Sequence, residues 1–190
     1  MTRPSTPSYT PQEAAILAGV RLQRVQNAIT NRQFGRTFVL AGKGQRRIDL
    51  SAVLTFAAQK QLGKVRIEPK LLYEALRKVG FPRGLVAITD AVTIDAPVLL
   101  GPTLRNIEIY DAARKRIVSD PAVMGGLPVV KGTRIPAHTL HARVMAGENI
   151  KAILKEYPYL DQEAIESAVL FIEANPPRGR PHRRNASVNG

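Results

Sequence analysis

From Thr10 onward the chain sets short apolar blocks against polar turns, first at helical and then at strand spacing. Thr10, Pro11 and Glu13 make a helix start: a hydroxyl cap, a proline at the first helical position and a carboxylate at N3 of a capping box. Ala14, Ala15, Leu17 and Ala18 continue a tight helix, and Gly19 ends it with room for a sharp turn. Val20, Val25, Ala28 and Ile29 then predict the buried face of a second helix. Its other face carries Gln23, Arg24, Gln26, Asn27 and Thr30. Two strand-like runs follow, Thr37 to Leu40 and Arg47 to Leu50, with a glycine-rich basic tip from Ala41 to Arg46 between them. Asp49 or Ser51 caps a helix to about Leu62, with Val53, Leu54, Ala57 and Leu62 inward.

Glu68 to Val79 reads as an amphipathic helix with Leu71, Leu72, Ala75, Leu76 and Val79 on one face, ended by Gly80 and Pro82. Between Leu85 and Tyr110 the runs LVAIT, VTI, PVLL and IEIY are strand-like, and the prolines and glycines among them keep the strands short or at edges. Open β-branched edges favour pairing in trans, so this stretch is expected to join the helical parts and to make a homodimer. Beyond it, Ala137, Leu140, Val144 and Met145 form the inner face of a helix ended by Gly147. Asn149 caps a second with Ile150, Ile153 and Leu154 inward, stopped at Tyr157-Pro158. Asp161 caps a third with Ile165, Val169 and Ile172 inward. The expected fold class is therefore α+β, mainly α: an N-terminal winged helix-turn-helix, a small central β region and a C-terminal three-helix homeodomain-like bundle. The boundaries fall at 1–65, 66–116, 117–175 and 176–190.

Charge changes the picture. The chain of 190 residues has a net charge of +13, unevenly spread. Residues 1–65 hold ten bases against two acids, +8, and residues 66–116 nine against six, +3. Residues 117–175 hold five against seven, −2, and residues 176–190 four bases and no acid, +4. A polyanion is expected at the N-terminal part. A helix, a glycine turn and a polar helix are the arrangement that places the second helix in the major groove of double-stranded DNA. The candidate DNA-binding residues are Arg21, Gln23, Arg24, Gln26, Asn27, Arg36, Lys43, Arg46 and Arg47, whose side-chain types bond base edges and phosphates. This part is similar to the winged helices of MerR-like and excisionase-like regulators, except that Arg21 stands where those usually carry a Ser or Thr cap.

The segment Gly125 to Pro136, GGLPVVKGTRIP, is unusual as ordinary core or loop. Pro128 and Pro136 bracket Val129 and Val130, and Gly132 gives backbone freedom ahead of Thr133 and Arg134, presenting one guanidinium in a set direction. With Ile117 to Pro121, Gly126, Lys131 to Pro136, Gly147, Ile153, Leu154, Tyr157, Pro158 and Leu160, it resembles a bacterial domain-of-unknown-function family carrying a GxPxxKGTRIP signature. The resemblance covers about residues 116–175. Members of that family accompany PIN-like nuclease toxins and are taken as type II antitoxins of the VapB-like kind. The resemblance implies a trihelical fold and a PIN-like ribonuclease toxin as partner. Thr133 and Arg134, and Arg178, Arg180, Arg183 and Arg184 on the Pro/Gly/Arg-rich tail, are the candidate toxin-binding residues. That tail reads as disordered on its own. Exposed Glu163, Glu166 and Glu173 on the last helix would repel phosphate, which favours a protein contact for this part.

Catalysis has little support. His138 and His141 stand at i, i+3, but nearby acids are sparse and no third ligand is evident. Ser119-Asp120 has no partner histidine, and GKGQRR lacks the spacing of a P-loop. No cofactor or metal is expected. The chain has no cysteine, which excludes disulfides and thiolate zinc sites and fits a reducing cytosol. No apolar run approaches a membrane span and the N-terminus has no apolar signal core, so a soluble, cytoplasmic protein is expected. The expectation is an antitoxin that represses its own operon promoter. Its rivals are a stand-alone transcriptional regulator and a protein-interaction adaptor that does not bind DNA.

Overall fold

The computed structural model describes residues 7–35, 38–40 and 46–176. Helix α1 (Pro11–Ala18) begins with the expected capping box: the Thr10 hydroxyl accepts from the Glu13 amide at 3.2 Å and the Glu13 carboxylate from the Thr10 amide at 2.8 Å. Gly19, at φ +63°, takes the left-handed turn that a side chain would resist and leads into α2 (Leu22–Thr30). Val20 lies just before α2, which buries Val25, Ala28 and Ile29. The wing strands are β2 (Val39–Leu40) and β3 (Arg47–Asp49), and β1 (Ser8–Tyr9) adds a third strand that the sequence reading lacks. The antiparallel order is β1-β3-β2. Asp49 caps α3 (Leu50–Leu62), accepting from the Ala52 amide at 2.9 Å and from the Tyr73 hydroxyl at 2.6 Å. Every residue of α3 from Leu50 to Ala58 is buried, as befits a helix packed on all sides.

Helix α4 (Pro69–Val79) buries Leu72, Tyr73, Ala75 and Leu76. Leu71 and Val79, expected on that face, are exposed. The helix is turned so that Tyr73 can enter a cluster with Phe34, Phe38 and Phe56, where ring centroids lie 5.1 to 6.4 Å apart. The core is thus continuous across residue 65.

The hairpin of β4 (Leu85–Thr89) and β5 (Val92–Asp95) matches the expected strands. The next expectation fails: PVLL and IEIY lie within one helix, α5 (Ala96–Arg116). The Asp95 carboxylate accepts from the Val98 amide at 3.1 Å, and Pro97 sits in the first turn, where it lacks no needed donor. Ala96, Leu100, Leu104, Ile107, Tyr110 and Ala113 then bury at helical spacing. Pro102 is tolerated inside the helix on an exposed face, where water can reach the carbonyl it leaves unpaired.

Strands β6 (Ile117–Val118) and β7 (Val129–Val130) pair antiparallel. Helices α6 (Ala137–Met145), α7 (Ile150–Glu156) and α8 (Gln162–Ala174) then enclose a second core centred on Leu140, Ile153 and Ile165. Met145, expected inside, is 57% exposed at the last turn of α6. Asn149 and Asp161 cap α7 and α8 as expected. The first half of α8 closes this second core, while Phe171 and Ala174 at its far end pack on the first.

Arg143 braces the bundle, reaching Glu148 at 2.5 Å and Glu156 at 2.6 Å with its guanidinium over the Tyr157 ring. Hydrogen bonds from Arg143 hold both carboxyls below the usual range. A folded-state pKa below the unfolded one adds stability that is complete above the unfolded value and is lost as pH falls through the folded one. Thermal unfolding should therefore come earlier as pH drops below about 4.5, the ordinary glutamate range. In Arg143→Ala that part of the pH dependence should vanish; an unchanged melting-temperature profile in the variant would contradict the brace.

Candidate nucleic-acid interface

The capping box fixes α1, the Gly19 turn sets α2 against it, and α3 supports both from behind. Gln23, Arg24, Gln26, Asn27 and Thr30 are all exposed on α2, and Arg21 is exposed at its N-cap position without a side-chain cap bond. Two of these make weak surface attachments within the chain. Gln23 donates to Asn27 at 2.8 Å, and Arg24 donates to Gln59 at 3.1 Å. Both bonds are at the surface, where a ligand's acceptors can replace them.

Arg46, exposed at the base of the wing, lines an open groove of about 810 Å³ with Gln26, Thr30, Gln12, Asn175 and Pro176. A second groove of about 550 Å³ lies between the end of α2 and β2 and is lined by Thr30, Arg32 and Arg46. Arg32, at φ +49°, is exposed there in the turn that follows α2, just after the helical repeat ends. Arg66 shares a depression with Arg24 and Gln59. It lies just past residue 65, across which the first core continues.

Arg47 departs from expectation. Its guanidinium turns inward, donating to the Ser8 hydroxyl at 2.8 Å and to the Ser8 carbonyl, with Glu13 at 3.6 Å. It ties β3 to β1 and to the start of α1 rather than standing free for phosphate. Glu13, buried at the start of α1, is the acid that this cation accompanies. Arg36 and Lys43 lie outside the described residues.

On the C-terminal bundle, the bracket holds as a turn. Gly132 sits at φ +78°, and the Thr133 hydroxyl donates to the Val130 carbonyl at 2.8 Å and accepts from the Ile135 amide at 3.0 Å. The Thr133 hydroxyl is therefore engaged by its own loop. Arg134 is exposed and has no hydrogen bond or ion pair among the described residues. Glu163 is paired with Arg116 at 3.0 Å and Glu166 with Arg105 at 3.5 Å, so two of the three acids expected to face outward alone are partly neutralised. Arg178, Arg180, Arg183 and Arg184 lie outside the described residues. His138 is exposed and His141 half-buried, and among the described residues no group of three metal-ligating side chains comes together. Among the same residues no helix is long and apolar enough to cross a membrane.

Comparison with known proteins adds three findings. Residues 117–172 match the family described as Protein of unknown function (DUF433). A Sinorhizobium fredii protein named Uncharacterized protein y4eO is 39% identical over 91 residues, which is 48% of this chain and 41% of that protein. The chain thus matches about two fifths of that relative's length. The X-ray crystal structure of Rv2018 from Mycobacterium tuberculosis aligns at a TM-score of 0.37 and 14% identity, over 87% of this chain and 99% of that one. That likeness is too low to bear on fold or function.

Proposed function

We propose that this chain is the antitoxin of a type II toxin–antitoxin pair, binding its own promoter through α2 and neutralising a PIN-like ribonuclease through its C-terminal bundle. One observation carries the DNA half: α2 buries Val25, Ala28 and Ile29 while exposing five side chains suited to base edges and phosphates. Arg32, Arg46 and Arg66 flank it. The partner half is supported by Arg134, exposed and unengaged among the described residues, and by Met124, Leu127, Met145 and Tyr159, exposed on the same part of the chain. Large apolar side chains and arginine are the residue types that anchor protein contacts. A PIN-like site gathers carboxylates round a divalent metal, and an arginine can compete for them.

The test uses the full chain. It should retard its promoter fragment, with affinity falling steeply as salt rises, and should co-purify with the product of the adjacent reading frame while silencing its ribonuclease activity. Failure to bind duplex at low ionic strength would refute the DNA half. Failure to capture or silence the neighbour would leave a stand-alone regulator. The open groove beside α2, with Leu22 and Ile29 in its wall, gives that second reading a place for an effector.

A homodimer is part of the proposal. The β4–β5 hairpin is a two-stranded sheet; Leu85, the first residue of β4, is 73% exposed, and Val98, in the first turn of α5, is 80% exposed. Leu85→Lys with Val98→Lys should convert the dimer to monomer in light scattering without changing the far-ultraviolet circular dichroism. A dimer that survives would move the interface elsewhere.

A further inference from the structure

Val25, Ala28 and Ile29 set the inward direction of α2. At about 100° per residue, Gln23 and Asn27 stand opposite them, within about 30° of the outermost line of the helix. The two are about one turn apart, so their side chains meet, and the Gln23 amide donates to the Asn27 amide at 2.8 Å. Both are exposed and neither carries charge. The cations stand to either side. Arg24 lies on one flank, bonded to Gln59 and sharing a depression with Arg66. Gln26 and Thr30 turn to the other flank, toward the groove that they line with Arg46, and Arg32 follows in the next turn. A helix seated in the major groove runs between two phosphate backbones, so cations belong on its flanks and base-reading groups on its crest. Helix α2 has that distribution.

The bond between the two amides decides which base edge the crest can read. A side-chain amide has one oxygen with two lone pairs and one nitrogen with two hydrogens. Donation from Gln23 to Asn27 leaves the Gln23 oxygen to accept and the Asn27 nitrogen to donate. Turning both amides over together keeps the bond and again leaves one acceptor and one donor. In the major groove adenine offers its N6 amino group as donor and N7 as acceptor, the complement of that set. Guanine offers two acceptors, N7 and O6, and would set O6 against the amide oxygen. The bond also holds both side chains before the duplex arrives, which reduces the entropy lost on contact.

We propose that Gln23 and Asn27 act as one unit that reads an adenine in the major groove, making A·T the base pair that α2 specifies, while the flanking arginines hold phosphate. The inference rests on the DNA-binding role of α2 and adds the base it selects.

The test selects duplexes from a randomised pool with the full chain, then measures affinity for the selected sequence. That sequence should carry an A·T pair at one position whose replacement by G·C weakens binding by roughly 5- to 150-fold. Replacing that adenine by 7-deazaadenine, which lacks the N7 acceptor, should weaken binding too. Gln23→Ala and Asn27→Ala should each erase most of the preference, and the double variant should lose little more, because the pair works as a unit. The dependence of affinity on salt should be the same in all of them. Preference retained in both single variants overturns the inference. So does an equal loss of affinity on every sequence, which would make the amides phosphate contacts. Losses at two separate base positions would mean that each amide reads its own base, and would overturn the unit. If the unaltered chain binds duplexes without base preference, the inference falls and α2 remains a non-specific DNA contact. If it ignores the pool at low ionic strength, the DNA-binding role of α2 falls as well.

Discussion

Arg24→Glu combined with Arg46→Glu should abolish promoter retardation, lowering affinity by roughly 100-fold or more at moderate salt. Each substitution removes a cation from the α2 and wing surface and places a carboxylate against phosphate. Both positions are exposed, and the one bond lost, from Arg24 to Gln59, is at the surface, so folding should be unaffected. Circular dichroism and thermal melting check this directly. Arg47→Glu makes a contrasting case. It breaks the bonds to Ser8 and puts a second carboxylate near buried Glu13, so it should lower the melting temperature and disturb DNA binding only through the fold. Equal loss of binding from Arg47→Glu with stability intact would show that the inward setting of that side chain is not what matters. Normal retardation by the double variant would remove α2 as the interface.

Phe34→Ala should cost about 3–5 kcal/mol of folding stability, the largest single effect expected from the core. Phe34 is fully buried, with its centroid 5.1 Å from Phe38, 5.1 Å from Phe56 and 5.6 Å from Tyr73, on which it stacks. Those partners come from the wing, α3 and α4, so one truncation empties the place where three elements meet. The surrounding rings are too rigid to collapse fully into the space. Denaturant unfolding by tryptophan-free probes, tyrosine fluorescence and circular dichroism together, should report one shifted transition for the first core. A loss under about 1 kcal/mol would mean that the cluster is loosely packed.

The legible parts of the sequence were those where a local chemical requirement fixes the chain. Thr10 with Glu13, Gly19, Asp49, Asn149 and Asp161 mark helix boundaries because unpaired amide and carbonyl groups must find partners within a few residues. The polar face of α2 was legible for a similar reason: Val25, Ala28 and Ile29 leave one side only for the rest. Less legible was α5. Its windows of Val, Leu, Ile and Tyr look strand-like four residues at a time, and only the full run from Ala96 to Ala113 reveals the helical repeat. The turning of α4, which exposes Leu71 and buries Tyr73, depends on Phe34 and Phe38 some forty residues away. No local pattern carries that. Arg47 was misplaced because charge alone does not say whether a guanidinium points to solvent or to a buried carboxylate.

The part of the chain matching the family of unknown function ends inside α8, at residue 172. Phe171, near that limit, serves both cores, and Ala174 and Asn175 just beyond it complete the packing around Tyr110. Cutting the protein at the family boundary would leave the front portion with an open apolar seam. Grafting the rear portion onto another protein would strand an aromatic ring with nothing beneath it. A transplant of this segment would succeed only if the recipient supplied a matching seat for the last turn of that helix.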